Sequence, residues 1–275
     1  MPKHIEIDVF LIGKTQVDRG EVRRWLDYLE ANGYEIPGPE AVTDPALLIA
    51  LAAKRCYKSF EPGLNPNVTK VRTDLVAYID NILKSGHGSV FEHSVYHFAI
   101  EGVSRVFTGE MNRHRAGWAI SEGSMRYIRF DKDIPYWVPN SIRENPADDA
   151  DLAARKKATR EIFDRAFGAT EEFYKELLGV WDMEEGSHNF HYKKRVTSCL
   201  RRIVGMGVAT GGVWSGNMRA LRHVITMRAD QPSAEEEIFH VFSKIAELMI
   251  KSEPMLLGDF TQDDNGSWKP KYRKV

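Results

Sequence analysis

The sequence predicts one intertwined α+β domain, and three observations carry that reading. Stretches with helical spacing and stretches with strand character are interspersed along the 275 residues, without the regular alternation of a doubly wound sheet. No internal repeat or low-complexity tract divides the chain. A hydrophobic content of 43% at this length suffices for a core without disulfide or metal staples.

The elements follow in order. Ile5 to Leu11 alternates apolar with polar residues and reads as a strand, which Gly13 breaks. Trp25, Leu26 and Leu29 recur at helical spacing between Val22 and Ala31, with Asn32-Gly33 as the C-cap. A loop bearing Pro and Gly runs from Ile36 to Pro45. Asp44-Pro45 then reads as an N-cap with Pro in the first turn, opening a helix through Leu47, Leu48, Leu51 and Ala52 to Tyr57. EPGLNPN at 61–67 is a loop by composition, and Thr69 to Leu83 is the next helix, stopped by Ser85-Gly86-His87-Gly88. HSVYHFAIE at 93–101 mixes β-branched and aromatic residues and reads as a strand buried on one face. Helix resumes from Ser104 to Arg113, and AGWAISEGS at 116–124 is loop-like. Asp148 to Val180 reads as a long amphipathic helix with Phe163, Phe167, Phe173 and Leu177 on its apolar side, and Lys193 to Val204 as another. GMGVATGGVWSGN at 205–217 reads as a strand or extended connection whose glycines let backbone approach something closely. Helices at 217–229 and 233–251 follow, and KPKYRKV at 269–275 reads as a basic, frayed tail.

Charge and composition exclude several functions. With 38 Lys+Arg against 39 Asp+Glu, the net charge of -1 argues against general nucleic-acid binding, so any anion must be met by a local cluster. No apolar run approaches the roughly 18 residues of a spanning helix, and the start lacks the cationic head and cleavage site of a signal peptide. Neither a membrane nor a nucleic-acid partner is expected, and the cytoplasm is the expected compartment. Cys56 and Cys199 match no zinc or redox spacing, and both are expected to be ordinary semi-buried residues.

Three constellations could carry chemistry. The first is Arg113-His114-Arg115 with Ser124, Arg126 and Tyr127, straddling a Gly-bearing turn. Guanidinium pairs near a turn make forked, permanently charged donors that match phosphate or a dianionic ring edge. A solvated basic face would account for an arbitrary RHR, but Met111, Trp118, Ile120 and Met125 interleave with these charges, and a semi-buried Arg requires an anionic partner. The second is Asn217, Arg219, Arg222, His223 and Arg228 on one helix, with Asn217 as its N-cap and Arg219 and His223 on one face. Surface salt bridging is an equal account of this set taken alone. Arg201-Arg202 add charge upstream. The third is Ser85 to His93 with His87, Glu92 and His93. His93 and His97 would share a face of a regular strand, but no acidic or thiolate ligand gathers at a familiar spacing, so no metal is assigned; His188 and His191 read as surface residues. P-loop, Rossmann and nucleophile-elbow motifs are absent.

SVFEH at 89–93, EMNRHR ending at Arg115, SxRY at 124–127 and NMRALRHVITMRAD at 217–230 together resemble flavin-dependent thymidylate synthases, in the same order over about residues 47–250. There is a departure. The family pattern RHRxxSxNxxSxR places nine residues between RHR and the closing Arg, whereas ten intervene here, with Trp118 and Ile120 near positions where small polar residues are usual. The resemblance implies a thymidylate-synthase-complementing-like fold, an antiparallel sheet flanked by helices, with residues 1–275 as a single catalytic domain. It implies a homotetramer whose active sites draw on several subunits. It further implies FAD as cofactor and transfer of a one-carbon unit from methylenetetrahydrofolate to C5 of dUMP, with NADPH reducing the flavin. By position, His93, Arg113, His114, Arg115, Asn217, Arg219 and His223 would contact the flavin. Glu110, Arg113, Glu122, Ser124, Met125, Arg126, Arg202 and Arg228 would hold the pyrimidine nucleotide, and Arg228 would be the catalytic residue. The remodelled loop leaves UMP or another nucleotide open as substrate. Neither cysteine lies in the Pro-Cys-Gln setting that classical thymidylate synthases use to attack C6, as RCYKS and SCLRR show. A flavin- or nucleotide-binding module without catalysis and a basic-patch nucleic-acid binder are the readings from other classes.

Overall fold

The computed structural model describes residues 3–130, 132–183 and 188–275. Its elements, in order, are β1 (His4–Ile5), β2 (Asp8–Lys14), α1 (Arg19–Tyr28), α2 (Asp44–Tyr57), α3 (Leu75–Lys84), a 3-10 turn at Gly88–His93, β3 (Val95–Ser104) and α4 (Arg105–Met111). These are followed by β4 (Trp118–Glu122), β5 (Tyr136–Trp137), α5 (Ala150–Val180), α6 (Phe190–Leu200), β6 (Ala209–Asn217) and α7 (Met218–Arg228). The chain finishes with α8 (Glu236–Ser252), α9 (Pro254–Leu257), β7 (Phe260–Gln262) and β8 (Trp268–Pro270).

Four strands form an antiparallel sheet in the order β2-β3-β6-β4. The Gly-rich segment is therefore a central strand, and its glycines face crowded neighbours. A Cβ on Gly212 would lie 2.3 Å from the Ser121 carbonyl oxygen, and one on Gly216 2.8 Å from the Trp118 ring. Only glycine at these two positions lets β4 pair so closely with β6.

One sheet face is the core. Tyr96, Phe98, Ile100 and Trp214 are buried there in one cluster with Leu47 and Leu51 of α2, Leu221 and Ile225 of α7, and Val241, Phe242 and Ile245 of α8. Complete burial of each such side chain contributes about 1.5–3 kcal/mol. The opposite face is open in the isolated chain: Phe10 and Ile12 are 51% and 57% exposed, and Val213 is 38% exposed. A second, smaller core joins Tyr174 and Leu178 of α5 to Val196 and Leu200 of α6, with Phe130, Ile134 and Val208.

The structure corrects several expectations. Residues 118–122 are not loop: Ile120 pairs with Trp214 in β4, and the partner strand supplies the hydrogen bonds that composition could not reveal. Gly13 does not end the first strand but sits at a bulge within β2, which continues to Lys14. The third helix begins at Leu75 because Asp74 caps it, accepting from the amides of Val76 and Ala77. Thr43, not Asp44, caps α2. On α5 the buried residues are Tyr174 and Leu178, whereas Phe163 and Phe173 face solvent. Cys56 and Cys199 are exposed, not semi-buried. The basic tail is not frayed, since Trp268–Pro270 pairs with Phe260–Gln262 and Tyr272 is anchored beyond it. No helix among the described residues is long and apolar enough to cross a membrane.

Candidate active site

The two segments that carry the RHR run and the Arg228 run are positioned by capped helices. Ser104 ends β3 and caps α4, its hydroxyl accepting from the amides of Val106 and Phe107 at 3.0 and 3.4 Å. Buried Glu237 of α8 in turn accepts from the Ser104 amide at 2.6 Å and from its hydroxyl, and burial pushes the Glu237 carboxyl up. Asn217 ends β6 and caps α7, its side-chain oxygen accepting from the Ala220 amide at 2.8 Å.

These caps bring the last turns of α4 and α7 together. Arg228 donates Nε–H to His114 Nε2 at 2.8 Å and pairs through Nη2 with Glu110 at 3.0 Å. Neither contact uses Nη1. Arg113 lies 3.7 Å from Glu110 with a side chain 72% exposed, while that of Arg228 is only 18% exposed. The His114 and His223 rings are 6.4 Å apart. Burial, reinforced by the Arg228 and His223 charges, holds His114 below the usual imidazole value of 6.5, so neutral Nε2 is free to accept from Arg228. The folded state therefore resists a proton that the unfolded chain takes up as pH falls through 6.5. This contribution to stability is complete above that pH and shrinks as pH falls toward the lower folded value. Denaturant titrations across that window should show a shallower acid loss for His114→Gln than for the parent protein.

Of the nucleotide candidates, Glu122, Ser124, Met125, Arg126 and Arg202 line two abutting clefts, whereas Glu110, Arg113 and Arg228 line neither. Glu122, Ser124, Met125 and Arg202 line one of about 530 Å³ with Arg105 and Met206. Arg126 and Arg202 line the next, of about 550 Å³, together with His191, Lys194 and Arg195. Helix α4 borders the first cleft, since a Cβ on Gly109 would meet the Met206 methyl at 3.8 Å. Glu122 Oε1 pairs with Arg105 at 2.9 Å, whereas its Oε2 is buried without a hydrogen-bond partner among the described residues. An orphaned carboxylate oxygen beside a cleft suits an N–H or O–H brought by a ligand.

The flavin candidates Asn217, Arg219 and His223 share a third cleft, of about 370 Å³, with Glu92 and Ala116-Gly117. Gly117 has φ +76°, and a Cβ there would lie 2.7 Å from Asn217 Nδ2, so only glycine lets this loop cradle the start of α7. Arg219 pairs with Glu92 at 2.6 Å. Arg115 and His93 are exposed. Arg222 departs from the sequence grouping, because it is buried and forks onto Asp259 at 2.6 and 2.9 Å. His97 engages Ser215 at 2.7 Å, and among the described residues no group of three His, Cys, Asp or Glu could hold a metal.

Comparison with known proteins matches the family model "Thymidylate synthase complementing protein" to residues 40–255. The chain belongs to this family. A flavin-dependent thymidylate synthase of Mycobacterium tuberculosis is 32% identical over 215 residues, 78% of each chain. In fold, the chain is similar to a UMP/dUMP methylase, PolB, from Streptomyces cacaoi, with a TM-score of 0.62, 17% identity and 94% and 95% of the two chains covered. It is also similar to thymidylate synthase X from Helicobacter pylori, with a TM-score of 0.53, 17% identity and coverage of 92% and 98%.

The donor set fits the flavin for which the mycobacterial relative is named. Arg113, Arg115 and Arg219 are exposed forked cations near a glycine cradle, which suits a pyrophosphate in a fold without a Rossmann loop. Sequence reasoning missed Arg105, which binds Glu122 and the Gly123 carbonyl oxygen. A signal was present: the residue after the Ser104 cap is a cation at the positive end of a helix dipole, a placement favourable only with a nearby acceptor.

Proposed function

We propose that this chain transfers a one-carbon unit from methylenetetrahydrofolate to C5 of a pyrimidine nucleotide monophosphate, with dUMP as the leading substrate and NADPH as reductant. Two observations carry the reading together: the Glu110, His114 and Arg228 cluster at the end of α4, and the unpartnered Glu122 oxygen in a cleft that Arg105 at the start of α4 also lines. FAD, when bound, supplies reducing equivalents to the transferred carbon. The remaining work belongs to the chain. Arg126 and Arg202 neutralise the nucleotide phosphate, and Glu122 accepts from a ring or sugar donor. Arg228, fixed by Glu110 and neutral His114, holds a permanent positive charge against the uracil edge. It stabilises negative charge on the ring carbonyls as C5 becomes nucleophilic, and because guanidinium stays protonated it is not the base. His93, Arg113, His114, Arg115, Asn217, Arg219 and His223 hold the flavin, while Glu110, Ser124 and Met125 complete the nucleotide pocket.

The assembly proposed is a homotetramer in the cytoplasm. Two features support self-association: the open sheet face with exposed Phe10, Ile12 and Val213, and the division of the cationic residues between a pair of abutting clefts and a third cleft apart from them. Apposing copies would let a cleft of one chain face the exposed cations of another.

A second reading, UMP as substrate, is favoured by one observation: within the ten residues between RHR and Arg126, Trp118–Glu122 fold as β4, with Trp118 seated over Gly216. A ribose hydroxyl requires little space and one polar partner. Turnover with dUMP, UMP and dCMP decides between the two: a preference for dUMP is expected, and exclusive use of UMP would replace it.

A further inference from the structure

Residues 256–275 lie beyond the family match, which ends at residue 255, yet they return to the site that the family residues build. The hairpin of β7 and β8 is tied to the end of α7, where the Trp268 amide donates to the Ala229 carbonyl oxygen at 2.8 Å and Lys269 pairs with Asp230. After the hairpin the chain runs back across the molecule. The Lys271 amide donates to the Asp259 carbonyl oxygen at 2.9 Å, and the Tyr272 amide to the Asp259 carboxylate at 3.2 Å. The Tyr272 hydroxyl donates to Asp80 of α3 at 2.8 Å, and its carbonyl oxygen accepts from Arg222 at 3.4 Å. Arg222 thus couples this segment to α7, one residue away from His223 and one turn from Arg219.

The run then enters a groove floored by two glycines. Gly86, at φ +67°, would place a Cβ 2.7 Å from the Lys274 carbonyl oxygen. A Cβ on Gly88 would lie 2.4 Å from the Val275 carbonyl carbon and 2.9 Å from Arg219 Nε. Val275 lines the same cleft as Asn217, Arg219 and His223. Arg219 is held with Glu92 on one side and the strap backbone near Gly88 on the other.

We propose that residues 271–275 are a strap that forms one wall of the coenzyme cleft, fixing Arg219 and retaining the bound flavin. The proposal rests on the flavin reading above. Two physical effects combine in it. A guanidinium already confined by neighbours loses less freedom on gripping an anion, and the strap that reaches the cleft through Val275 is itself basic, with Lys271, Arg273 and Lys274 in its five residues.

The test is flavin binding by the full chain and by a variant omitting residues 273–275, followed by FAD titration with fluorescence detection and, separately, dUMP titration. The strap predicts FAD affinity lower by roughly tenfold, equivalent to about 1.4 kcal/mol, with dUMP affinity and thermal midpoint unchanged. Tyr272→Phe, which keeps the chain intact and removes only the tether to Asp80, should show a smaller loss in the same direction. Hydrogen exchange supplies a readout independent of turnover: amides 272–275 gain protection when FAD is added to the full chain. Unchanged or tighter FAD binding in the shortened chain would overturn the strap. So would parallel loss of both ligands with a lowered midpoint, which would mark a purely structural segment. Failure of the full chain itself to take up FAD would remove the flavin reading beneath it, a result distinct from equal binding with and without the strap.

Discussion

Replacing Arg228 with alanine is expected to cut kcat by roughly 100- to 1000-fold, the usual cost of losing one group aimed at developing negative charge, while FAD stays bound. The expectation follows from where the side chain sits. Its Nε and Nη2 are committed to His114, just beyond α4, and to Glu110 in the last turn of α4, and little of the side chain reaches solvent. The group is therefore oriented before substrate arrives, which is the condition under which a fixed charge acts on a transition state without reorganising. Arg228→Lys should recover little, because an ammonium cannot span His114 and Glu110 in the same plane. Arg113→Ala provides the contrast. Exposed, and only loosely engaged by Glu110, Arg113 is assigned to both ligands, so its loss should weaken FAD and nucleotide together. Comparable loss of flavin from the Arg113 and Arg228 variants would contradict this division.

The largest effect on stability is expected at Arg222. Its side chain and that of Asp259 are 4% and 7% exposed, joined by two hydrogen bonds, and Arg222 further donates to the Leu256 carbonyl oxygen at 2.6 Å. Arg222→Ala strands a buried carboxylate, and removing one partner of such a pair typically costs about 3–5 kcal/mol. Denaturant unfolding should show an unfolding free energy lower by that amount, with an unchanged slope. The double variant Arg222→Met with Asp259→Leu should recover much of the loss, because apolar replacement removes both desolvated charges together. A single variant within about 1 kcal/mol of the parent, the scale of an exposed ion pair, would show that the pair is solvated.

Much of this architecture was legible in the sequence because caps and periodicity act locally. Asn217 read as a cap and is one; Pro45 opened a helix that runs to Tyr57. Helix starts shift by a local cap, as at Thr43 and Asp74, whereas the two larger differences each depend on a partner distant in sequence. Residues 118–122 look like a loop until Gly212 and Gly216 of β6 are set beside them, and the basic tail looks frayed until Asp80 and Asp259 receive Tyr272. Site legibility divides in the same way. The helical spacing placed Arg219, His223 and Arg228 on α7, but it could not separate Arg222, whose burial is decided by Asp259. Arg105 carries no motif, and its role follows only from the position of Glu122. Periodicity places Phe163 and Phe173 on the apolar side of α5, yet both are exposed, because the second core meets the helix at Tyr174 and Leu178 instead.

The most direct measurement is the absorbance spectrum of the freshly purified protein, recorded again without air after NADPH and a pyrimidine nucleotide are added. The account predicts a flavin spectrum that bleaches, because separate cationic stretches are held to grip the coenzyme beside the nucleotide. A colourless protein that acquires no flavin spectrum even with excess FAD would contradict it.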